Sequence, residues 1–419
     1  MSTTRREFFR RSVFAAGWGL GRPMIEAASE APPIARRGPA KRILILGAGA
    51  AGLVAAHELK AAGHEILLIE ATARAGGRVH TLRAPFSDGL TAEAGAGRFP
   101  PHHSLTFHYI RKFGLRTVPF YPATGLDTYL IGGRRLQAPR GQDPNMSDVP
   151  LRLSDEERRL GFSGLYAKYL GEPSRAFGPD WDGTHPAEAA SLGGLGFYDY
   201  VRQRGGSHDA ARYLSLGFEK DSALDMIRDA AGHDVPMLYK IEGGNDQLLQ
   251  AFARDLREQI LYGAPAVRIA SSRQGVEVTV EGRAGRQMIH GDRLICTLPF
   301  SVLRRIEVAA PLSEAKREAI RRSTYGHVTR LFLQMRRQYW AAEGANGFAN
   351  FDQPLEMWHP THDQPVGRAI LVGYTYERLA RQYVALSPEA RVARFLNLTE
   401  KVHPGARSHC EAGFSWSWH

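Results

Sequence analysis

One segment constrains the fold of this chain more than any other, because a strand-length apolar run, residues 43–46, leads directly into a glycine-rich turn. The glycines of this turn, Gly47, Gly49 and Gly52, have the spacing G-x-G-x-x-G. The first suits a tight turn, the second lets a pyrophosphate approach the backbone, and the third lets a helix pack closely against the strand. The pattern predicts a strand, a turn and a helix whose N-terminus faces phosphate groups.

The residues after the turn complete a βαβ unit. Residues 53–62 are rich in the helix formers Ala, Leu, Glu and Lys, and Gly63 after them is typical of a helix C-terminus. The apolar run 65–69 predicts a second strand that ends at Glu70, whose carboxylate suits ribose hydroxyls and would repel the 2′-phosphate of NADP. The unit predicts a dinucleotide-binding domain of an α/β fold, and it suits either FAD or NAD.

Composition excludes several other classes of protein. Hydrophobic residues make up 43% and charged residues 23% of the 419, which indicates a folded chain with material for roughly two or three domains. The net charge is +11, and residues 1–38 contribute seven Arg and three Glu to it. The charges of the remaining residues are scattered, so we predict no nucleic-acid partner and only a mild bias toward anionic ligands. The chain has only Cys296 and Cys410, and its histidines lack ligand spacing, so we predict no metal.

The first 40 residues are typical of a targeting segment. Arg5 and Arg6 precede two phenylalanines, and the modestly apolar stretch 13–20 follows, too short and too rich in glycine to span a bilayer. This arrangement resembles a twin-arginine export signal, and residues 27–40 read as a cleavage zone and a Pro/Ala-rich linker. We therefore predict a leader and linker over 1–40 and a periplasmic or secreted protein; the alternative is a disordered basic tail.

The sequence after Glu70 carries a more specific resemblance. Residues 70–78, Glu-Ala-Thr-Ala-Arg-Ala-Gly-Gly-Arg, are similar to the E-A-x-x-R-x-G-G-R signature of the flavin monoamine oxidase and L-amino-acid oxidase family, which are FAD-dependent amine oxidases. The likeness continues, in the family's order, through residues 93–100, 241–248 and 292–299. The resemblance implies an enzyme that binds FAD.

The same resemblance implies a fold and a domain arrangement. The expected fold class is α/β, with a Rossmann-like FAD-binding domain interleaved with an α+β substrate domain. The FAD-binding domain would comprise residues 41–106 and 240–300, and the substrate domain residues 107–239 and 301–419. Helices are expected in 150–240 and a sheet in 301–375. A Ser154 capping box, with Glu157 three residues on, independently predicts one helix start.

The family's cofactor contacts, carried over residue by residue, give a set of candidate positions. Residues 93–100 would run beside the flavin ring, Arg74 and Arg78 would lie near the diphosphate, and residues 266–268 would meet the adenine. The expected cofactor-binding residues are Gly47, Gly49, Ala51, Gly52, Glu70, Arg74, Gly77, Arg78, Gly95, Ala96, Gly97, Arg98 and Val267.

Two arginines are the candidate catalytic residues. Arg98 resembles the position at which L-amino-acid oxidases hold the substrate carboxylate, which an arginine can pair through two parallel hydrogen bonds. Arg330 stands where amine oxidases usually place a lysine near flavin N5. The implied reaction oxidises an L-amino acid to a keto acid, ammonia and hydrogen peroxide, with molecular oxygen as the second substrate. A primary-amine or polyamine oxidase is the alternative, and Arg98 would then be structural, paired with an acid such as Glu93.

The end of the sequence departs from the family pattern. The family continues beyond the region of Trp416 and Trp418 with a segment that completes the flavin pocket and carries the positions of covalent flavin attachment in monoamine oxidases. The sequence reaches His419 without it. We therefore expect noncovalent FAD, weakly bound by this chain alone, and either a homodimer or a separate C-terminal chain as a partner. An inactive or split-enzyme fragment is a further alternative.

Overall fold

The computed structural model of the protein describes residues 34–175, 187–219, 221–233, 235, 237–283, 285–364 and 367–418. The paired arginines and the apolar stretch of the predicted leader lie outside the described residues. Within the described residues, no helix combines the length and the apolar character needed to cross a bilayer.

The strands are short and occur along the whole described chain. In chain order they are β1 (Arg42–Leu46), β2 (Glu65–Ile69), β3 (Thr81–Leu82), β4 (Ala92–Glu93), β5 (Thr117–Pro119), β6 (Leu126–Ile131), β7 (Arg134–Pro139), β8 (Tyr239–Ile241), β9 (Ile260–Leu261), β10 (Ala266–Ser272), β11 (Gly275–Gly282), β12 (Gly285–Gly291), β13 (Arg293–Cys296), β14 (Glu307–Ala309), β15 (Val328–Met335), β16 (Ala345–Phe351), β17 (Leu355–Trp358), β18 (Ala369–Tyr376) and β19 (Cys410–Trp418).

Helices connect these strands, and several of them cluster between β7 and β8. They are α1 (Ala50–Ala61), α2 (Ser104–Lys112), α3 (Asp155–Tyr166), α4 (Glu172–Ser174), α5 (Ala187–Gly193), α6 (Phe197–Gln203), α7 (His208–Leu214), α8 (Ala223–His233), α9 (Asp246–Asp255), α10 (Phe300–Leu303), α11 (Glu314–Arg322), α12 (Glu377–Val384), α13 (Pro388–Val402) and α14 (Ala406–His409). A π-helical segment spans Ala167–Gly171, and 3₁₀ turns span Arg257–Gln259 and Tyr339–Glu343.

A four-stranded parallel sheet, in the order β13-β1-β2-β9, contains the predicted βαβ unit. Helix α1 begins at Ala50 and not at residue 53, because Gly49 already takes the extended N-cap conformation. The helix ends as predicted before Gly63, which has a φ of +83°. The amide of His64 donates to the carbonyl of Leu59, and the amide of Gly63 donates to that of Lys60, which is the Schellman pattern of a glycine-terminated helix.

A second four-stranded sheet, in the order β12-β11-β10-β14, packs against the parallel sheet. Leu44, Leu46 and Ile69 of the parallel sheet form one buried apolar cluster with residues of the second sheet such as Val278 and Val280. The prediction of an α/β fold with a Rossmann-like dinucleotide-binding domain is confirmed.

A seven-stranded sheet, in the order β19-β15-β18-β17-β16-β6-β7, forms the other large layer. Successive side chains of a strand point to opposite faces, so β15 divides its residues between two clusters. Leu331 and Leu333 pack with Tyr383 and Phe395 of helices α12 and α13. Phe332, on the opposite face, packs with side chains from β17, β18 and the β3–β4 hairpin. The second face therefore looks toward the chain that follows the βαβ unit.

The sheet differs in extent from the one expected over 301–375, because β6 and β7 come from earlier in the chain and β19 from later. The capping box is confirmed: the amide of Glu157 donates to Ser154 Oγ at 3.2 Å, and the amide of Ser154 donates to Glu157 Oε2 at 2.8 Å. The domain boundaries given above stay predictions.

Candidate cofactor and substrate site

The glycine turn forms an open cradle at the carboxyl end of β1. Gly47 has a φ of +97°, and its amide donates to the carbonyl of Ile69 at 2.8 Å, which fixes the turn to the end of β2. A Cβ on Gly52 would lie 1.9 Å from the carbonyl oxygen of Gly47, so only glycine fits there. A Cβ on Gly49 would meet no atom within 4 Å. The backbone at Gly49 and at the exposed Ala51 is thus open to an approaching phosphate.

Glu70 lies where the βαβ unit predicts its carboxylate. Its Oε2 accepts a hydrogen bond from the amide of Ala48 in the glycine turn at 2.8 Å, and its Oε1 accepts from the amide and hydroxyl of Thr72, both at 2.8 Å. The amide of Ala264 donates to the backbone carbonyl of Glu70, so the segment that leads into β10 begins beside Glu70. Val267 is the second residue of β10. One carboxylate thus joins the glycine turn to the next loop beside the phosphate cradle.

The two arginines of the 70–78 motif differ in their surroundings. Arg74 donates from Nη1 and Nη2 to the carbonyls of Ala75, Gly77 and Val79 at 2.7–3.2 Å, so it braces its own loop. Arg78 has an exposed side chain that makes no hydrogen bond or ion pair within the described parts of the chain. Of the two, only Arg78 has its guanidinium free for an anionic ligand.

The loop 95–97 packs tightly between the motif and the large sheet. A Cβ on Gly95 would lie 1.9 Å from the carbonyl oxygen of Arg78, and the amide of Ala96 donates to that oxygen at 3.0 Å. A Cβ on Gly97 would lie 3.5 Å from Nη1 of Arg330. Gly77 approaches the turn from the other side, since its Cβ would lie 3.4 Å from Cα of Gly49. The predicted cofactor loops therefore meet one another and Arg330.

Arg330 belongs to a row of side chains across the seven-stranded sheet. Glu356 pairs with Tyr374, Tyr374 with Arg330, and Arg330 with Trp416, on the adjacent strands β17, β18, β15 and β19. Directly opposed residues project from the same face, and Arg330 and Phe332 lie on the face turned toward the β3–β4 hairpin. Trp418, one repeat further along β19, donates from Nε1 to the carbonyl of Ala94 at 2.6 Å. The row therefore faces the 94–97 loop.

The guanidinium of Arg330 is a buried charge with few partners. Its Nη1 donates to the carbonyl of Glu93 at 2.5 Å, whereas its buried Nε has no hydrogen-bond partner. The guanidinium carbon lies 5.2 Å from the ring centre of Trp358 and 5.1 Å from that of Tyr374. Burial lowers the pKa of Arg330 to about 10, so the group remains charged at neutral pH.

Arg98 lies beside this row, and only part of its guanidinium is hydrogen-bonded to the described residues. Its Nη1 donates to the hydroxyl of Tyr121 and to Oε2 of Glu356, both at 3.3 Å, and its guanidinium carbon lies 4.8 Å from the ring centre of Trp358. Among the described residues, no acceptor bonds to its Nε or Nη2. Burial opposes the charge, but Glu356 and the neighbouring hydroxyls outweigh it and raise the pKa of Arg98 above its usual range. Arg98 is thus a permanent cation with one edge unbonded.

The acidic partner of Arg98 differs from the one considered in the sequence. Glu93 does not pair with Arg98: its carboxylate accepts hydrogen bonds from the hydroxyl of Thr81 at 3.0 Å and from the amide of Asn245 at 2.7 Å. Burial raises the pKa of Glu93 to about 7. Sequence reasoning missed Glu356, although one signal was present, because it is the only charged residue of the otherwise apolar strand Leu355–Trp358.

The described part of the chain contains no group of three or more His, Cys, Asp or Glu side chains arranged to hold a metal ion. The cradle at Gly49 and Glu70 and the charged row on the sheet are the two polar features that the predicted site residues share. The family model for flavin containing amine oxidoreductases matches residues 50–415, a range that includes Glu70, Arg98, Arg330 and Glu356. The chain belongs to this family.

Relatives of this amine oxidoreductase extend over most of its length. YobN of Bacillus subtilis (strain 168), provisionally named an L-amino-acid oxidase, is 31% identical over 90% of this chain and 82% of its own. The flavin-dependent L-tryptophan oxidase RebO of Lentzea aerocolonigenes is 30% identical over 87% of this chain and 81% of its own. A putrescine oxidase structure with bound putrescine superposes with a TM-score of 0.77 at 21% identity, covering 90% of this chain and 84% of that one.

These findings make the protein a flavin-dependent oxidoreductase whose substrates are amines or amino acids and molecular oxygen. The family resemblance seen in the sequence is thereby confirmed. The residues present fit a flavin dinucleotide, because the helix N-terminus at Gly49 is open and the carboxylate of Glu70 lies beside it. The roles assigned to the individual site residues stay predictions.

Proposed function

We propose that this amine oxidoreductase oxidatively deaminates L-amino acids to keto acids, ammonia and hydrogen peroxide, with noncovalently bound FAD. The observation that carries the proposal is the hydrogen bonding of the Arg98 guanidinium, which leaves one edge open. Tyr121 and Glu356 hold its Nη1, while Nε and Nη2 make no hydrogen bond to the described protein and 24% of the side chain is exposed. A guanidinium edge of this kind matches a carboxylate through two parallel hydrogen bonds.

The chain's own residues would bind and orient the substrate. Arg98 would take the α-carboxylate and so fix the direction of the Cα–H bond, which is an orientation effect. Arg330 adds a second buried positive charge on the same side of the sheet and favours an anionic substrate. FAD, when bound, would supply the two-electron acceptor that oxygen reoxidises. Gly47, Gly49, Gly52 and Glu70 would hold it.

A primary-amine or polyamine oxidase is the second candidate. It is favoured by one observation, the ion pair between Arg98 and Glu356, because a substrate without a carboxylate would leave that pair undisturbed. The names of YobN and RebO support amino-acid substrates, and the putrescine oxidase likeness is compatible with amines.

Steady-state kinetics of Arg98→Ala with added FAD separate the two candidates. The substrates are L-leucine and 3-methylbutylamine, which differ only in the carboxylate. We expect kcat/KM for L-leucine to fall by roughly 30-fold to several thousand-fold, the usual effect of breaking a desolvated charge pair, with little change for the amine. Arg98→Lys keeps the positive charge but loses the two parallel hydrogen bonds of a guanidinium, so its kcat/KM for L-leucine should lie between those of the wild type and Arg98→Ala. Equal losses on both substrates would rule out the carboxylate role.

We also propose export through the twin-arginine route. The support is the sequence of residues 5–20, which lies outside the described structure. Replacing Arg5 and Arg6 by lysine should leave the protein in the cytoplasm, as measured by fractionation and immunoblotting. Unchanged export of the double variant would contradict this.

A further inference from the structure

Glu356 has a carboxylate of which only one oxygen accepts hydrogen bonds from the described residues. Its Oε2 accepts hydrogen bonds from Nε1 of Trp358 at 2.8 Å and from Nη1 of Arg98 at 3.3 Å. Its Oε1 accepts none from the described residues, and 32% of the side chain is exposed. One oxygen is therefore held in place while the other remains open to a ligand.

A series of stacked aromatic rings begins beside this carboxylate. Tyr374 is opposite Glu356 in the sheet, and it stacks on Trp358 with ring centres 4.8 Å apart. Tyr376 lies next to Tyr374 at 5.9 Å and is covered by Phe218, stacked at 4.8 Å. Burial, and after it the charge of Glu356, raise the pKa of the Tyr376 hydroxyl. Ring faces attract cations, so a carboxylate among them is the chemistry of a cation-binding site.

Substrate binding at Arg98 would change the balance of charge around Glu356. Within the described chain, Arg98 is the only cationic side chain that forms an ion pair with Glu356. When an α-carboxylate takes the free edge of Arg98, that guanidinium pairs with two carboxylates, while Arg330 interacts with the charge of Glu356 without forming an ion pair with it among the described residues. A carboxylate that loses part of its compensation there is costly unless another cation arrives. The α-amine cannot be that cation, because it must be neutral to be oxidised.

We infer that Glu356 is a subsite for a second cation and that the preferred substrates are L-amino acids with a cationic side chain, of the lysine, ornithine or arginine class. The inference rests on the proposed oxidation of L-amino acids. The α-carboxylate binds Arg98, and the side-chain ammonium or guanidinium binds the free oxygen of Glu356 among Trp358, Tyr374 and Tyr376. Glu356 thus acts on specificity and not on the bond that breaks.

The test compares Glu356→Gln with the wild-type chain on three substrates, in the presence of FAD. L-Lysine carries both charges, L-norleucine lacks the side-chain cation, and 1,5-diaminopentane lacks the carboxylate. Glutamine keeps the shape and an acceptor for Trp358 but removes the charge. We expect wild-type kcat/KM to favour lysine over norleucine by about 10-fold or more, and the variant to lose roughly 30-fold on lysine, mainly in KM, with norleucine within about threefold.

Glu343→Gln is the matched control, because it removes the carboxylate of another ion pair, with Arg135, away from the site. It should leave all three substrates unchanged. Titration calorimetry without oxygen, on protein whose FAD has been reduced beforehand so that the amino acids bind without being oxidised, gives a second readout: wild-type protein should bind lysine more tightly than norleucine, and Glu356→Gln should abolish the difference.

Three results would overturn the inference or its basis. Equal losses on lysine and norleucine would mean that Glu356 only positions Arg98. A wild-type preference for norleucine would remove the cation subsite while leaving the oxidation of L-amino acids intact. Turnover of 1,5-diaminopentane with no amino acid oxidised would overturn the proposed function itself.

Discussion

The glycine turn at residues 47–52 and the charged row on the large sheet differ in how the chain builds them. The turn is contiguous in sequence and works through its backbone: Gly52 leaves no room for a side chain, and Gly49 leaves the helix N-terminus open. The row brings Glu356, Arg330 and Trp416 together from three separate strands, and it works through buried charge. One region would bind whatever carries a pyrophosphate, and the other would choose among substrates.

The two regions also depend on different features of the fold. The turn depends on local conformation, such as the φ of +97° at Gly47. The row depends on strand register, because a shift of β15 by one residue would carry Arg330 to the face that packs on helices α12 and α13. The first region should therefore be sensitive to added volume. The second should be sensitive to changes of charge, including that of Glu93, whose backbone carbonyl accepts a hydrogen bond from Arg330.

The largest expected effect tests the turn. Gly52→Ala places a Cβ 1.9 Å from a backbone oxygen that cannot move without opening the turn. We expect the free energy of unfolding to fall by about 4 kcal/mol or more, beyond the usual cost of overpacking, and FAD binding to be lost. Urea unfolding and FAD titration measure the two effects.

Gly49→Ala is the matched variant. The same methyl group meets no atom within 4 Å, and the φ of −78° suits alanine, so the fold should be unaffected. It fills the space through which a pyrophosphate approaches, and FAD affinity should fall roughly 10- to 100-fold at unchanged stability. If Gly49→Ala bound FAD normally, the phosphates would have to approach the chain elsewhere.

The turn could be predicted from the sequence because its determinants are local. The G-x-G-x-x-G spacing, the glycine after α1 and the Ser154 capping box each act within a few residues, and the structure contains all three features. The boundary of α1 was misplaced, since Gly49 caps the helix and α1 begins at Ala50. The identity of the cofactor needed the longer motif through residue 78.

The row could be predicted only in part. Arg98 and Arg330 followed from the family resemblance, but Glu356 did not, because its position opposite Tyr374 is set by the pairing of β17 with β18. Arg74 is the opposite case. The motif predicts that it lies near the diphosphate, but its guanidinium donates hydrogen bonds to three backbone carbonyls of its own loop. Partners chosen by register or by loop closure are not visible in the spacing of one sequence.

The next effect tests whether the charge of the row is used. Arg330→Met removes a buried guanidinium that has one hydrogen bond and an unpartnered Nε, so its loss should leave the unfolding temperature unchanged or raise it. If the charge acts in catalysis, kcat should fall about 100-fold, as when one electrostatic contact is removed from an active site. Arg330→Lys keeps the charge and should retain more activity. Full activity in Arg330→Met would restrict Arg330 to packing.

The smallest expected effect tests the dependence on pH. The pKa of Glu93 is raised to about 7 by burial, from an ordinary value near 4.5. Because the folded protein holds this proton more tightly than the unfolded chain, the stabilising contribution is complete below pH 4.5 and is lost as pH rises through 7. Between pH 5.5 and 8 this should cost about 2 kcal/mol of the free energy of unfolding.

Glu93→Gln removes the titration while keeping oxygen and nitrogen atoms for Thr81 and Asn245. The variant should therefore gain stability relative to the wild type as pH rises from 5.5 to 8, by about the same 2 kcal/mol, in urea unfolding of the chain without added FAD. His359 and His403, whose pKa values burial lowers to about 3, give both proteins the same opposite slope below pH 6.5, so the difference between the two curves isolates Glu93. Parallel curves for wild type and variant would mean that Glu93 stays ionised in the folded protein, and that the charge of Arg330 and the hydrogen bonds from Thr81 and Asn245 outweigh the cost of burying the carboxylate.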